Sequence, residues 1–193
     1  MGVARSLLLD DLAGAATPEK AARLSAMAKE HFDYVWRLLR RLGLSAADAD
    51  DVSQQAFLVA SRRLDDIYIG SERAFLYRAA VNSAYKHRRS RERRREDELD
   101  ELALDTTGDL GAEELVDRRR AREILDGIVE TMPMDFRVVF VLYEIDGLST
   151  QQIADVVGIP LGTVASRLRR ARVEFENRVA RLEARHKQQG VKS

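Results

Sequence analysis

The stretch that decides the fold spans residues 148–168 and reads LSTQQIADVVGIPLGTVASRL. Ser149 followed three residues later by Gln152 is the signature of a capping box, which predicts that a helix begins here. Gly158 predicts the end of that helix and a tight turn. Pro160 suits the entry to a second helix, where its missing N–H costs little. The sequence therefore predicts a helix-turn-helix.

The second of these helices has two unlike faces. Val164, Leu168 and Ala171 form an apolar stripe, which predicts the side turned towards the protein core. The opposite side is polar and basic and consists of Thr163, Ser166, Arg167 and Arg170, with Arg169 and Arg172 at its flanks. Arginine binds guanine edges or phosphates, so this side suits a DNA major groove. The alternative is a solvated helical hairpin whose arginines serve solubility.

The composition predicts an all-α protein. Only 11 glycines and 3 prolines occur in 193 residues, and alternating β-branched patterns are nearly absent. The chain has no cysteine, which excludes disulfides and cysteine-bearing metal sites. Its histidines, His31, His87 and His186, are scattered, and no glycine-rich phosphate loop occurs. We therefore expect no metal, no cofactor and no catalytic site.

The apolar residues nowhere form a long run. The longest N-terminal one, Leu7-Leu8-Leu9, is followed at once by Asp10 and Asp11. A signal peptide or a membrane span needs a longer apolar segment. We therefore expect no membrane insertion and a cytoplasmic protein.

The formal net charge of zero conceals strongly segregated charges. Residues 86–95 contain seven basic side chains and one acid, whereas residues 96–117 contain ten acids and no lysine or arginine. Charge blocks of this kind are typical of solvated surfaces and linkers. Here they predict two small basic helical domains joined by a flexible acidic linker.

The expected boundaries follow from these blocks. We predict an N-terminal extension over residues 1–23, a first domain over 24–95, the acidic linker over 96–117, a second domain over 118–185 and a tail over 186–193. In the first domain, the third helix should bury Phe75, Leu76, Ala79, Ala80 and Ala84. In the helix-turn-helix, the first helix should bury Ile153, Ala154 and Val157.

Three further motifs accompany the helix-turn-helix. Residues 47–57 read ADADDVSQQAF, residues 75–82 read FLYRAAVN and residues 132–140 read MPMDFRVVF. With these motifs in this order, the chain resembles a bacterial RNA polymerase sigma factor of the sigma-70 family. It is most similar to the extracytoplasmic-function (ECF) group, which contains only regions two and four. The chain departs from the family pattern at Gln55, where glutamate is usual, and at Phe75, where tryptophan is often found.

The resemblance implies which side chains bind the polymerase and the promoter. The set expected to bind core RNA polymerase is Asp48, Asp51, Gln54 and Gln55. The set expected at the −10 element is Asn82, with Lys86, Arg88 and Arg89 on backbone phosphates, next to the loop over residues 67–72. At the −35 element we expect Ser166, Arg169 and Arg170 to contact base edges, and Thr163, Arg167 and Arg172 to position the backbone or seal the domain. Acids near a helix N-terminus also favour the helix dipole, and mid-helix asparagines often simply face solvent.

The resemblance also implies the partners, which are core RNA polymerase, promoter DNA and an anti-sigma factor, and it implies no catalysis by the chain itself. The acidic linker could imitate nucleic-acid charge inside the polymerase or could be an ordinary spacer. A stand-alone helix-turn-helix regulator and a helical protein-interaction module are the alternative functions. The first would bind DNA without polymerase, and the second would not bind DNA.

Overall fold

The computed structural model describes residues 17–97 and 124–190, and every regular element within them is helical. The first part contains α1 (Pro18–Arg41), α2 (Ala46–Arg62), a 3₁₀ turn (Leu64–Asp66) and α3 (Glu72–Asp97). The second part contains α4 (residues 124–130), α5 (Met134–Phe140), a π-helical turn (Val141–Ile145), α6 (Thr150–Val157) and α7 (Leu161–Gly190). The all-α prediction is confirmed. The acidic linker beyond residue 97 and most of the N-terminal extension lie outside the described residues.

The first domain is a bundle of α1, α2 and α3, which pack pairwise against one another. Gly43, at φ +92°, ends α1 in a left-handed turn that other residues rarely adopt. Ser45 then caps α2, because its hydroxyl accepts a hydrogen bond from the N–H of Asp48 at 3.1 Å. Phe32 and Phe57 stack in the core between these helices, with their ring centres 5.8 Å apart.

The buried side of α3 differs in part from the prediction. Leu76, Ala80 and Ala84 are buried as expected, but Phe75 and Ala79 are only half-buried. Tyr77 and Val81 are buried instead. The prediction was wrong at these positions because α6 of the second domain packs against α3, so the helix is covered on two sides.

The helix-turn-helix is present as predicted. The hydroxyl of Ser149 accepts a hydrogen bond from the N–H of Gln152 at 3.2 Å, and the Gln152 side chain accepts one from the N–H of Ser149 at 2.8 Å. Gly158 ends α6 at φ +74°. Only the placement of Val157 was wrong, because Val156 is fully buried and Val157 is half-buried.

The second domain packs α5 and α6 against the long helix α7. Its core includes Val138, Leu142 and Val164, and Phe140 stacks on Phe175 at 4.9 Å. This core is continuous with that of the first domain, so the two domains form one packed unit. Among the described residues, no helix is long and apolar enough to cross a membrane.

Candidate polymerase and promoter interfaces

The second helix of the helix-turn-helix, α7, is fixed by its apolar stripe. Val164, Leu168 and Ala171 are buried, as predicted. Because the helix repeats every 3.6 residues, the neighbouring Arg169 and Arg170 are turned outwards, and both are exposed.

Four other predicted DNA contacts on α7 are partly engaged within the protein. Ser166 donates a hydrogen bond to the carbonyl of Thr163 at 3.0 Å, and both residues are half-buried. Arg167 pairs with Asp135 of α5 at 2.8 Å, and Arg172 pairs with Glu144 of the π-helical turn at 2.7 Å. The last two contacts support the expectation that Arg167 and Arg172 seal the domain.

The predicted −10 residues lie on α3 but do not share one face. Asn82, Lys86 and Arg89 are exposed and follow one another at i, i+4 and i+7, which places them on one side of the helix. Arg88 is also exposed, but it points to another side, because it lies only two residues from Lys86. The fold thus brings three of the four residues together.

The loop before α3 presents two large apolar side chains to solvent. Tyr68 is 83% exposed and Ile69 is 90% exposed. The family resemblance places this loop at the −10 element, but it identifies neither side chain. An aromatic and an aliphatic residue next to each other in a break between helices are the signal that could have found them, since adjoining exposed apolar residues can mark an interaction site.

The backbone of this loop is firmly held. Arg23 of α1 donates to the carbonyl of Ile67 at 2.6 Å and to the carboxylate of Glu72 at 2.8 Å. Glu72 in turn accepts a hydrogen bond from the N–H of Gly70 at 2.6 Å. Burial alone would raise the pKa of Glu72, but these hydrogen bonds and the charge of Arg23 hold it below its ordinary value. The loop is therefore anchored at both ends with its two apolar side chains outside.

The outer side of α2 carries the predicted polymerase-binding residues. Asp51 and Gln55 are exposed, and Gln54 is half-buried. Asp48 is half-buried, because it accepts a hydrogen bond from the Ser45 hydroxyl at 2.6 Å and lies 3.1 Å from Nε2 of His87. Val59, which was not predicted, is 42% exposed and continues the row of Asp51 and Gln55 at four-residue spacing.

Two family models match the chain in the order that the motifs predicted. Sigma-70 region 2 matches residues 27–94, and Sigma-70 region 4 matches residues 122–175. The ECF RNA polymerase sigma-E factor of Escherichia coli is 35% identical over 146 residues, which cover 71% of this chain and 76% of that protein. The chain belongs to the ECF sigma factors. The prediction of a transcription initiation factor with regions 2 and 4 is confirmed, and a stand-alone regulator is not favoured.

Other relatives of this sigma factor agree with the assignment. The ECF sigma factor SigE of Mycolicibacterium smegmatis is 31% identical over 169 residues, and the alignment covers 86% of this chain and 66% of that protein. The fold is shared with the sigma factor RpoE of Bartonella quintana, solved with the anti-sigma factor NepR (TM-score 0.62, 22% identity, 77% of this chain and 91% of that one). It is also shared with CnrH, solved with the cytosolic domain of CnrY (TM-score 0.60, 23% identity, 94% and 98%).

Region 2 and region 4 of this sigma factor are joined by a buried guanidinium. Arg137 of α5, only 8% exposed, donates to the carbonyl of Leu42 at the end of α1 at 2.7 Å. It also donates to the carbonyls of Met132, at 3.0 Å, and Glu130. Burial lowers the pKa of Arg137 to about 10. One side chain thus binds the C-terminal carbonyls of helices from both regions, where the helix dipole favours a cation.

The helix that carries the predicted −10 residues, α3, is also tied to region 4. Arg78 donates to the carbonyl of Asp155 in α6, and the hydroxyl of Tyr85 donates to Asp135 at 2.9 Å. Asp135 is the same carboxylate that binds Arg167 of α7. A single acid therefore connects α3 with α7. We call this packed arrangement of region 2 on region 4 the closed state.

Proposed function

We propose that this sigma factor recognises the −35 element through Arg169 and Arg170, with Ser166 beside them. Both arginines are exposed on the helix that a helix-turn-helix places in the major groove. We assign Thr163, Arg167 and Arg172 to positioning of the DNA backbone or to contacts that seal the domain. The observation that carries this proposal is the contrast between the two exposed arginines and the engaged Arg167 and Arg172.

At the −10 element, we propose that Asn82, Lys86 and Arg89 contact one strand while Tyr68 of the preceding loop stacks on an unpaired base. Stacking on an exposed aromatic ring is tolerant of sequence, whereas lysine and arginine hold backbone phosphates. Arg88 binds phosphate from a different side of the helix. Strand opening needs such contacts, because extruding a base costs a few kcal/mol.

Core RNA polymerase, in this proposal, docks on the outer side of α2 through Asp51, Gln54 and Gln55, with Val59 adding an apolar contact. Asp48 is engaged with Ser45 and His87 and therefore has a smaller direct share in this contact. The acidic side chains match a basic partner, which favours rapid, salt-dependent docking.

The closed state cannot bind both promoter elements at once. Their centres lie about 25 base pairs apart, or roughly 85 Å along B-form DNA. A compact chain of this length has a radius of gyration of only about 16 Å. Region 2 and region 4 must therefore separate when the promoter is bound. The acidic linker that permits this separation either imitates nucleic acid inside the polymerase or acts as a spacer.

We further propose that the protein works in the cytoplasm, where the polymerase performs the chemistry, and that an anti-sigma factor restrains it. The structures of RpoE with NepR and of CnrH with CnrY support the last point by analogy. The domain boundaries given above, including residues 96–117 for the linker, remain predictions.

The test is reconstitution of the purified protein with bacterial core RNA polymerase on a library of genomic fragments. Promoter-specific transcripts that require both proteins are the expected result, and their start sites define the −10 and −35 elements. DNA binding that never depends on polymerase would contradict the proposal. The substitutions Asp51→Arg and Arg170→Ala should then separate polymerase docking from −35 recognition.

A further inference from the structure

Three arginines and a tyrosine meet where region 2 faces region 4. Tyr34, Arg37 and Arg41 lie at i, i+3 and i+7 on α1, which places them on one side of the helix. Arg73 joins them from the first turn of α3. The guanidinium carbons of Arg37 and Arg73 lie 4.9 Å and 6.0 Å from the centre of the Tyr34 ring. We call these four residues the arginine–tyrosine cluster.

In the closed state, Asp146 of region 4 occupies this cluster. One carboxylate oxygen lies 3.4 Å from Arg41, and Arg73 donates to the main-chain carbonyl at 3.1 Å. The Asp146 side chain is only 9% exposed, and its second carboxylate oxygen is buried with no hydrogen-bond partner among the described residues. Burial raises the pKa of Asp146, although the three arginines act in the opposite direction. The cluster therefore satisfies the Asp146 carboxylate incompletely.

We propose that the arginine–tyrosine cluster is a binding site for a backbone phosphate of promoter DNA, and that Asp146 takes the place of that phosphate in the closed state. This inference rests on the sigma-factor function. A phosphodiester stays at the surface, where guanidinium forks can bind two of its oxygens without burying a charge. The half-exposed Tyr34 ring adds a face for a neighbouring base.

The position of the cluster favours the strand held at the −10 element. Arg73 precedes Asn82 by nine residues on the same helix, which is about 13.5 Å along the axis. Arg73 also follows the exposed Tyr68 and Ile69 by only a few residues. Nine residues are two and a half helical turns, so Arg73 lies on the opposite side of α3 from Asn82. The cluster therefore adjoins the −10 surface through the loop and not along the face of α3.

The experiment measures binding of a fluorescein-labelled, mixed-sequence, single-stranded DNA 12-mer to the full chain by fluorescence anisotropy. Asp146→Lys places an ammonium among the arginines, which repels region 4 and uncovers the cluster. The control is Glu183→Lys, which makes the same charge change at an exposed carboxylate of region 4. We expect Asp146→Lys to bind about fivefold more tightly than Glu183→Lys, because more of the protein is then competent.

A second substitution assigns the gain to the cluster. The double variant Asp146→Lys with Arg41→Ala should lose the gain in DNA affinity. The slope of log affinity against log salt concentration should also fall by about 0.7 if one phosphate contact disappears. Asp146→Lys with Arg181→Ala, an exposed arginine of region 4, should keep the gain. Equal affinities of Asp146→Lys and Glu183→Lys, or a gain that survives Arg41→Ala, would overturn the inference. A cluster reserved for an acidic protein segment would give that result.

A measurement in the holoenzyme covers the case in which Asp146→Lys fails to fold. Arg41→Ala should shorten the lifetime of the promoter open complex about fivefold relative to Arg181→Ala, and equal lifetimes would again overturn the inference. If the unaltered protein supports no promoter-specific transcription at all, the proposed function fails instead. The two failures are thus distinguishable.

Discussion

Replacement of the buried guanidinium, Arg137→Met, should be among the most destabilising single substitutions in this sigma factor. Methionine fills a similar volume but leaves the carbonyls of Leu42 and Met132 without their donor, and both residues are nearly fully buried. Each unsatisfied buried acceptor costs about 1–3 kcal/mol. The carbonyl of the exposed Glu130 can bind water instead. We therefore expect a loss of about 2–6 kcal/mol in the free energy of unfolding.

Urea unfolding followed by circular dichroism measures this loss, together with the thermal midpoint. For a chain of this size, 3 kcal/mol corresponds to roughly 6–12 °C in Tm. Arg181→Met, at an exposed position, is the control and should change stability by less than about 0.5 kcal/mol. If Arg137→Met is as stable as this control, the carbonyls do not depend on the guanidinium and the reasoning is wrong. Arg137→Lys should fall between the two, because an ammonium cannot reach all the carbonyls in one plane.

Four further outcomes are expected. Gly43→Ala should destabilise the protein, because the alanine β-carbon would collide with the Arg137 guanidinium and because the backbone φ at this position is +92°. Urea unfolding should show a smaller loss of stability from Gly43→Ala when Arg137→Met is already present. Arg170→Ala should relax the preference at one −35 base by about 1–3 kcal/mol in a binding assay over all base variants, and equal weakening of every sequence would mean that only phosphate is bound. Tyr68→Ala should slow promoter opening, measured with a fluorescent base at −10, while leaving −35 binding intact. The pKa of Asp146 is raised in the closed state, so the closed state binds the proton of this acid more tightly than the open state does. As the pH falls from about 7 towards the ordinary pKa of 3.8, X-ray scattering should therefore show a growing share of the closed state. Asp146→Asn should abolish that response.

Local signals in the sequence were sufficient for the helix-turn-helix. Ser149, Gln152 and Gly158 act within a few residues of one another, so their hydrogen bonds and backbone angles could be predicted without knowledge of the rest of the fold. The apolar stripe of Val164 and Leu168 is equally local, because helical periodicity alone places it. The exposed positions of Arg169 and Arg170 follow from that stripe.

Contacts between the regions could not be predicted in this way. Tyr77 and Val81 are buried because another region lies on α3, and periodicity within α3 gives no sign of this. Arg137 is a charged residue in a strongly apolar segment, and its partners are carbonyls up to 95 residues away in sequence. The exposure of Tyr68 depends on how Arg23 and Glu72 hold the loop, which also involves distant residues.

The shared carboxylate of Asp135 means that the two promoter-binding surfaces are not independent. Tyr85 and Arg167 are released from it by the same opening step. A partner that binds the open form more tightly than the closed form supplies free energy for opening, and a second such partner then binds to a protein that is already competent. Partners of this kind should therefore bind with positive cooperativity, and the coupling between any two of them must be reciprocal.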